Sequence, residues 1–308
     1  MTTAVLVMAY GTPTDVDDVA NFYTDVRRGH PPTAEQLMDL ERRYQAIGGI
    51  SPLRERTAAQ ISQLQLALDR LSPRTFATYY GAKHAAPKIE ESIDAIARQG
   101  ITSMIGVVLA PHYSILSVGE YIERARLHAN QRALNSAFVE RWGDDQTLID
   151  LLANRLSETI ASIAGTYQHL EVLFSAHSLP LRILESGDRY PEELHRTAEL
   201  VADRAGIARF RIAWQSAGKT SEPWLGPDLL LVLEQLQAEG VDGVVVCPAG
   251  FTSDHLEVLY DLDIAAAQRA AELGIVFART RSLNDDPEMA QLLARRIVAL
   301  ASTDGEPR

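Results

Sequence analysis

The sequence predicts an α/β protein of two Rossmann-like lobes, each a parallel sheet with helices on both faces, around a central cleft. Short β-branched runs alternate with longer segments in which apolar residues recur at three and four. That alternation runs through the chain twice, and 308 residues is about two domains at ~150 residues each. The composition, 46% apolar and 23% charged, is ordinary for a globular protein, so each lobe can bury a core without staples.

Residues 5–9, Val-Leu-Val-Met-Ala, are the first strand, an apolar run stopped by Tyr10-Gly11-Thr12-Pro13. The N-terminal residues have no basic region or cleavage site and read as this strand, not as a signal peptide. Residues 76–80 and 104–109 are the next two strands, and residues 61–71 and 89–97 have helical spacing. The second half repeats the plan, with strands at 172–174, 210–214 and 244–246 and helices at 191–205 and 227–238. A late strand is expected at 276–277 and a closing helix at 287–300. The turn-rich Trp142-Gly143-Asp144-Asp145 marks the break, giving an N-terminal lobe over 1–143 and a C-terminal lobe over 144–308. The closing helix is expected to pack back on the N-terminal lobe, and residues 302–308 read as a loose tail. There is no low-complexity segment and no solenoid-type repeat.

Several function classes are excluded. With 29 basic against 41 acidic residues the net charge is −12, which repels nucleic acid and anionic lipid. No stretch approaches the ~18 apolar residues of a membrane span, so a cytoplasmic protein is expected. The single cysteine, Cys247, excludes an internal disulfide, a Cys₄ zinc site and an iron–sulfur cluster held by this chain alone. No nucleotide is expected either: no Gly-x-Gly-x-x-Gly follows the first strand, and Gly218-Lys219-Thr220 has Ala213 where a P-loop needs glycine.

In open parallel sheets, ligands bind beyond the carboxyl ends of the strands. Aromatics, histidines and small polar residues gather there in both lobes, as in Ser175-Ala176-His177-Ser178 and Gly250-Phe251-Thr252-Ser253-Asp254-His255-Leu256-Glu257. His177 can be a structural hydrogen-bonder or, with small neighbours that leave its ring accessible, a proton acceptor near neutral pH. Ser253 or Asp254 can cap a helix on which Asp254, Glu257 and Asp261 share one face. That face is either a solvated acidic surface or a track of oxygen ligands for a divalent metal, and His255 serves either reading. Tyr10 can simply pack. Arg27-Arg28 and Arg42-Arg43 are solvated pairs or, if turned to the cleft, carboxylate binders.

In order along the chain, Leu6-Val7-Met8-Ala9-Tyr10-Gly11-Thr12-Pro13, Tyr44-Gln45-Ala46-Ile47-Gly48-Gly49-Ile50-Ser51-Pro52-Leu53, Leu109-Ala110-Pro111-His112-Tyr113-Ser114, Ser175-Ala176-His177-Ser178-Leu179-Pro180, Trp214-Gln215-Ser216, Pro223-Trp224-Leu225-Gly226-Pro227-Asp228 and the run from Gly250 to Asp261 resemble ferrochelatase. The resemblance spans nearly the whole chain. It implies a chelatase-like fold and a lyase-class metal chelatase that inserts Fe²⁺, as substrate metal, into a porphyrin. The opening motif and the short Arg27-Arg28-Gly29 segment look more like the branch that converts coproporphyrin III to Fe-coproporphyrin III in haem biosynthesis. Protoporphyrin IX as substrate is the alternative, and a non-catalytic tetrapyrrole or metal carrier is a second class.

By matching position, the resemblance implies His177 and Glu257 as catalytic and metal-handling residues, with Tyr10 as a ligand to product iron. Tyr10, Arg27, Arg43, Ser51 and Tyr121 are implied to hold the porphyrin, and Lys83 and His84 match a pair at the cleft edge. Asp261 is a further metal candidate, but Ala265 interrupts the acidic track one turn later. With no cysteine beyond Cys247, the C-terminal cluster of some members is not expected. The family also suggests a monomer in transient contact with neighbouring haem-pathway enzymes. Metallation requires two pyrrole protons to leave and the ring to bend, a cost that contacts to four propionates can offset.

Overall fold

The computed structural model describes residues 2–303. Strands β1 (Thr3–Ala9), β2 (Phe76–Ala82), β3 (Ser103–Val108) and β4 (Asn135–Val139) form one sheet, in the order β2-β1-β3-β4. Strands β5 (Leu170–His177), β6 (Phe210–Gln215), β7 (Gly243–Cys247) and β8 (Val276–Arg279) form the other, in the order β6-β5-β7-β8. All the strand pairings are parallel. The two orders are the same pattern, so each sheet reverses its winding once, between β1 and β3 and between β5 and β7. The carboxyl ends at those reversals are where a ligand crevice opens.

The central strands β1, β3, β5 and β7 are buried on both faces, which is why they read as unbroken apolar runs. Val5 and Val7 of β1 face a central core, while Ala4, Leu6 and Met8 face an outer cluster with Ile93 and Ile122. Phe174 and Val245 of the second sheet join the same central core, and Leu173, Val244 and Val246 face an outer cluster with Leu233 and Leu262. Helices Leu53–Leu71, Gln146–Ser162, Tyr190–Ala205 and Pro287–Thr303 fill the centre through Leu64, Leu156, Leu194 and Ile297. The centre is therefore one continuous core shared by both sheets.

Several boundaries differ from the expected ones for local reasons. β4 is a short edge strand, largely half-exposed, and its Asn-Ser-Ala-Phe-Val has no long apolar run to announce it. The helix expected from Pro227 begins at Leu229, because Asp228 caps it by accepting from Leu230 N–H at 2.9 Å. The closing helix continues through Ser302 to Thr303, so the start of the expected tail is helical; residues 304–308 of that tail lie outside the described residues. This helix leaves the second sheet and packs on helix Leu53–Leu71. Arg155, its side chain 4% exposed, fastens the approach by pairing with Asp286 at 2.6 Å and donating to the Arg281 carbonyl at 3.1 Å. Among the described residues no helix is long and apolar enough to cross a membrane.

Candidate active site

His177 is the last residue of β5, beside Gln215 of β6 in the ladder. One residue further the chain is still held, since Ser178 N–H donates to the Gln215 carbonyl at 2.8 Å and Ser178 Oγ to the Leu225 carbonyl at 2.8 Å. The Ser178 carbonyl meets His177 Nδ1. A carbonyl can only accept, so Nδ1 carries the proton and Nε2 is the atom turned to the cleft. Tyr190 Oη adds a hydrogen bond to the His177 carbonyl at 3.0 Å. Gly250 makes room beside the strand: a Cβ there would lie 2.4 Å from Ala176 Cβ, so only glycine lets this loop pass so close.

Glu257 lies in the first turn of helix Leu256–Tyr260, which the loop after β7 delivers to the same point. Its Oε1 is 3.4 Å from His177 Nε2, and its Oε2 is 3.6 Å from His255 Nε2. His255 is oriented in the same way as His177, with Nδ1–H donating to the Ser253 carbonyl at 2.9 Å. The carboxylate thus sits between two imidazole edges. His177 and Glu257 each keep about a third of their side chains open, 34% and 33%.

The charges of the pair follow from this geometry. Burial alone would lower the His177 pKa, but the charge and hydrogen bond of Glu257 outweigh it and raise it to about 9. Burial would raise the Glu257 pKa, but His177 first and His255 after it hold the carboxyl well below its ordinary range. The substrate-free pair is therefore imidazolium–carboxylate at neutral pH, and its two groups titrate as one system.

Beyond Glu257 the helix widens into π-helical turns over Asp261–Ala266, a distortion frequent at functional sites. The Asp261 side chain, 17% exposed, accepts from Ser216 Oγ and lies 4.0 Å from Arg43 Nη1. Burial pushes its pKa up to about 6 against the Ser216 hydrogen bond, and the charge of Glu257 adds to the rise. Asp254, expected on the same face, is elsewhere. His255 occupies the N-cap position with no side-chain cap bond, and Asp254 accepts from Ser282 Oγ at 2.7 Å and Asn284 Nδ2 at 2.9 Å. That carboxylate anchors a loop.

One cavity of about 1380 Å³ opens between the sheets, larger than the ~300–1,000 Å³ typical of small-ligand sites. His177, Glu257, Tyr10 and Tyr121 all line it. Tyr10 follows β1, is 41% exposed, and meets the His84 ring edge-on at 4.7 Å between centroids. Lys83 Nζ lies 5.1 Å from the Tyr121 ring centroid and pairs with Glu120 at 2.5 Å. Asp25 receives both His84 Nδ1 at 2.7 Å and Lys88 Nζ at 2.5 Å, tying helix Val19–Val26 to the segment after β2.

Arg27, Arg43, Ser51 and Asp261 are not among the residues lining this cavity, whereas Arg28 is. Arg27 Nε donates to the His30 carbonyl at 3.2 Å, and Ser51 Oγ accepts from Leu53 N–H at 3.3 Å. Arg43 pairs with Asp39 at 3.1 Å and stacks on Tyr260, yet its buried Nε has no partner. Among the described residues no group of three or more His, Cys, Asp or Glu is placed to hold a metal ion.

A ferrochelatase family model matches residues 2–300 of this chain. The chain belongs to the ferrochelatase family. Ferrochelatase of Herpetosiphon aurantiacus is 44% identical over 295 residues, covering 94% of this chain and 96% of that protein. Coproporphyrin III ferrochelatase of Bacillus subtilis is 40% identical over 294 residues, covering 94% and 95%. That of Geobacillus kaustophilus is 40% identical over 309 residues, covering 99% and 98%. Among solved structures, SirB from Bacillus subtilis with Fe³⁺ shares the fold at a TM-score of 0.59, with 14% identity and coverage of 99% and 98%. The ferrochelatase resemblance noted from motifs therefore extends over the whole fold. Two cleft residues carry weak signals in the sequence: His255, two before Glu257, fits either reading of the acidic face, and Tyr190 lies in a polar helix start far from either motif.

Proposed function

We propose that this ferrochelatase-family protein inserts Fe²⁺ into coproporphyrin III, giving Fe-coproporphyrin III in haem biosynthesis. The carrying observation is the facing pair, His177 Nε2 and Glu257 Oε1 at 3.4 Å, in a cavity between the winding reversals of two sheets. Relatives named coproporphyrin III ferrochelatase at about 40% identity support the choice of porphyrin. The cavity lining supports it too, since it includes Arg28, Lys83, Lys88, Arg124, Arg126 and Arg182. Each of these cations has a carboxylate partner that a propionate can replace.

In this reading the resting imidazolium of His177 cannot take a pyrrole proton. An Fe²⁺ ion approaching Glu257 competes for the carboxylate and withdraws the charge that keeps His177 protonated, so the Nε2 proton leaves to solvent through the open part of the ring and Nε2 becomes a base. His177 then accepts one pyrrole proton, passes it to solvent and accepts the second, while Glu257 holds or passes the metal. Histidine and carboxylate suit a labile divalent ion better than thiolates, which would retain it. Tyr10 and Tyr121 are proposed against the macrocycle, with the Tyr10 hydroxyl as a ligand to product iron. Arg27, Arg43 and Ser51 are proposed as rim contacts for propionates, and the unpaired Nε of Arg43 is a donor in need of an acceptor. Asp261 is proposed as an outer point on the metal path.

We further propose a lobe boundary at 143/144, with the closing helix as part of the N-terminal lobe, and a cytoplasmic monomer that makes transient contact with neighbouring haem-pathway enzymes. The test is an anaerobic Fe²⁺ insertion assay with coproporphyrin III and protoporphyrin IX. Faster turnover with protoporphyrin IX reverses the substrate assignment, and tight porphyrin binding with no insertion makes the protein a carrier.

A further inference from the structure

Gln215 ends β6 next to His177, is 2% exposed, and does not line the cavity. Its two polar ends serve the two halves of the facing pair. Its main-chain carbonyl accepts from Ser178 N–H at 2.8 Å, and Ser178 is the residue whose own carbonyl takes the His177 Nδ1 proton. Its side-chain Nε2 donates to the Glu257 carbonyl at 3.1 Å. The orientation of the amide follows from its partners: the Glu257 carbonyl can only accept and so faces Nε2, and the fully buried Ser175 hydroxyl donates to Oε1 at 2.9 Å and holds the other end. The next residue, Ser216, adopts a left-handed φ of 60° and sends its hydroxyl to Asp261, so two consecutive residues grip the acidic helix one turn apart.

We propose that Gln215 is a positioning residue for metal insertion: one buried side chain, locked by Ser175, sets the separation of His177 Nε2 from the Glu257 carboxylate. It touches neither porphyrin nor iron. The proposal rests on the role given above to the His177–Glu257 pair. The pair is already at 3.4 Å, so a small slide of the helix breaks the contact, and misplacement of reacting groups by ~1 Å can cost about a hundredfold in rate.

Gln215→Met keeps the volume and removes the amide, whereas Ser175→Ala leaves the amide but removes the hydroxyl that anchors its Oε1. Wild type and both variants are assayed for kcat and for KM of Fe²⁺ and coproporphyrin III. The ring ¹⁵N resonances of His177 are recorded for each substrate-free protein at one fixed pH. Gln215→Met is expected to lower kcat by about tenfold with the porphyrin KM within about twofold, and to move the Nε2 resonance. Ser175→Ala is expected to move both in the same direction by less. If Gln215→Met does not fold, Ser175→Ala alone decides, since it deletes one hydroxyl. An unmoved resonance, or a kcat loss matched by an equal rise in porphyrin KM, overturns the proposal. A wild type that inserts no iron defeats the functional reading instead, and the resonance comparison then decides on Gln215 by itself.

Discussion

Replacing Glu257 by Gln tests the electrostatic core of the site without changing its shape. In wild type the His177 pKa stands at about 9 against an ordinary 6.5. A histidine raised on folding contributes stability that is fully present below pH 6.5 and is lost as pH rises through about 9. At about 1.4 kcal/mol per pH unit, that displacement is worth roughly 3.4 kcal/mol at most. With 34% of the ring open, solvent screening reduces it to about 1–2 kcal/mol. In Glu257→Gln, burial is opposed only by the Ser178 hydrogen bond and the charge of Asp261, so the His177 pKa falls and most of this contribution disappears. Thermal melts of both proteins from pH 6 to pH 10 should therefore show wild type losing about 1–2 kcal/mol more than the variant, several degrees at most for a chain of this size. The same variant, assayed anaerobically at limiting iron, should bind coproporphyrin III but insert Fe²⁺ far more slowly, although His177 is more readily a free base. Parallel melting profiles would falsify the charge coupling, and unchanged kinetics at limiting iron would remove Glu257 from metal handling.

Other outcomes follow from single contacts. His177→Ala should lower insertion by at least ~10²-fold, the scale of a lost general base, with porphyrin binding retained by fluorescence quenching; near-normal turnover would exclude this histidine. Since the Asp261 pKa is about 6, its carboxylate forms as pH rises through that value, so kcat/KM for Fe²⁺ should climb across pH 6 in wild type and stay flat there in Asp261→Asn. Asp25→Asn loosens the ties to both His84 and Lys88 and should raise the coproporphyrin KM by about three- to tenfold with little change in kcat, read from steady-state assays. Arg155→Ala leaves the Asp286 carboxylate and the Arg281 carbonyl short of a buried donor and should cost about 3–5 kcal/mol in denaturant unfolding.

Strands buried on both faces were the most legible part of the fold, because β1, β5 and β7 each show a run that nothing but a sandwiched strand requires. β4 was illegible for the opposite reason: at the sheet edge, with half-exposed side chains, it needs little apolar sequence. In the site, His177 and Glu257 were legible from strand-end position and motif. Asp254 was misplaced, because helical spacing was extended back through His255, where the backbone is still extended and the carboxylate finds Ser282 and Asn284 across the chain. Arg43 shows the same limit, since its partner Asp39 is a helical neighbour but its stacking on Tyr260 is tertiary. Gln215 could be quoted within a motif, yet its role depends on a strand register and a helix position that only the fold brings together.

The 17-residue closing helix has a consequence for how the molecule is made. It follows every other described element in chain order, yet its seat is helix Leu53–Leu71, which emerges early. Until then, apolar residues such as Leu64 and Leu68 lack part of their final cover. The earlier-made half therefore stays short of part of its apolar cover until this late helix docks, a state in which exposed leucines favour association with other chains.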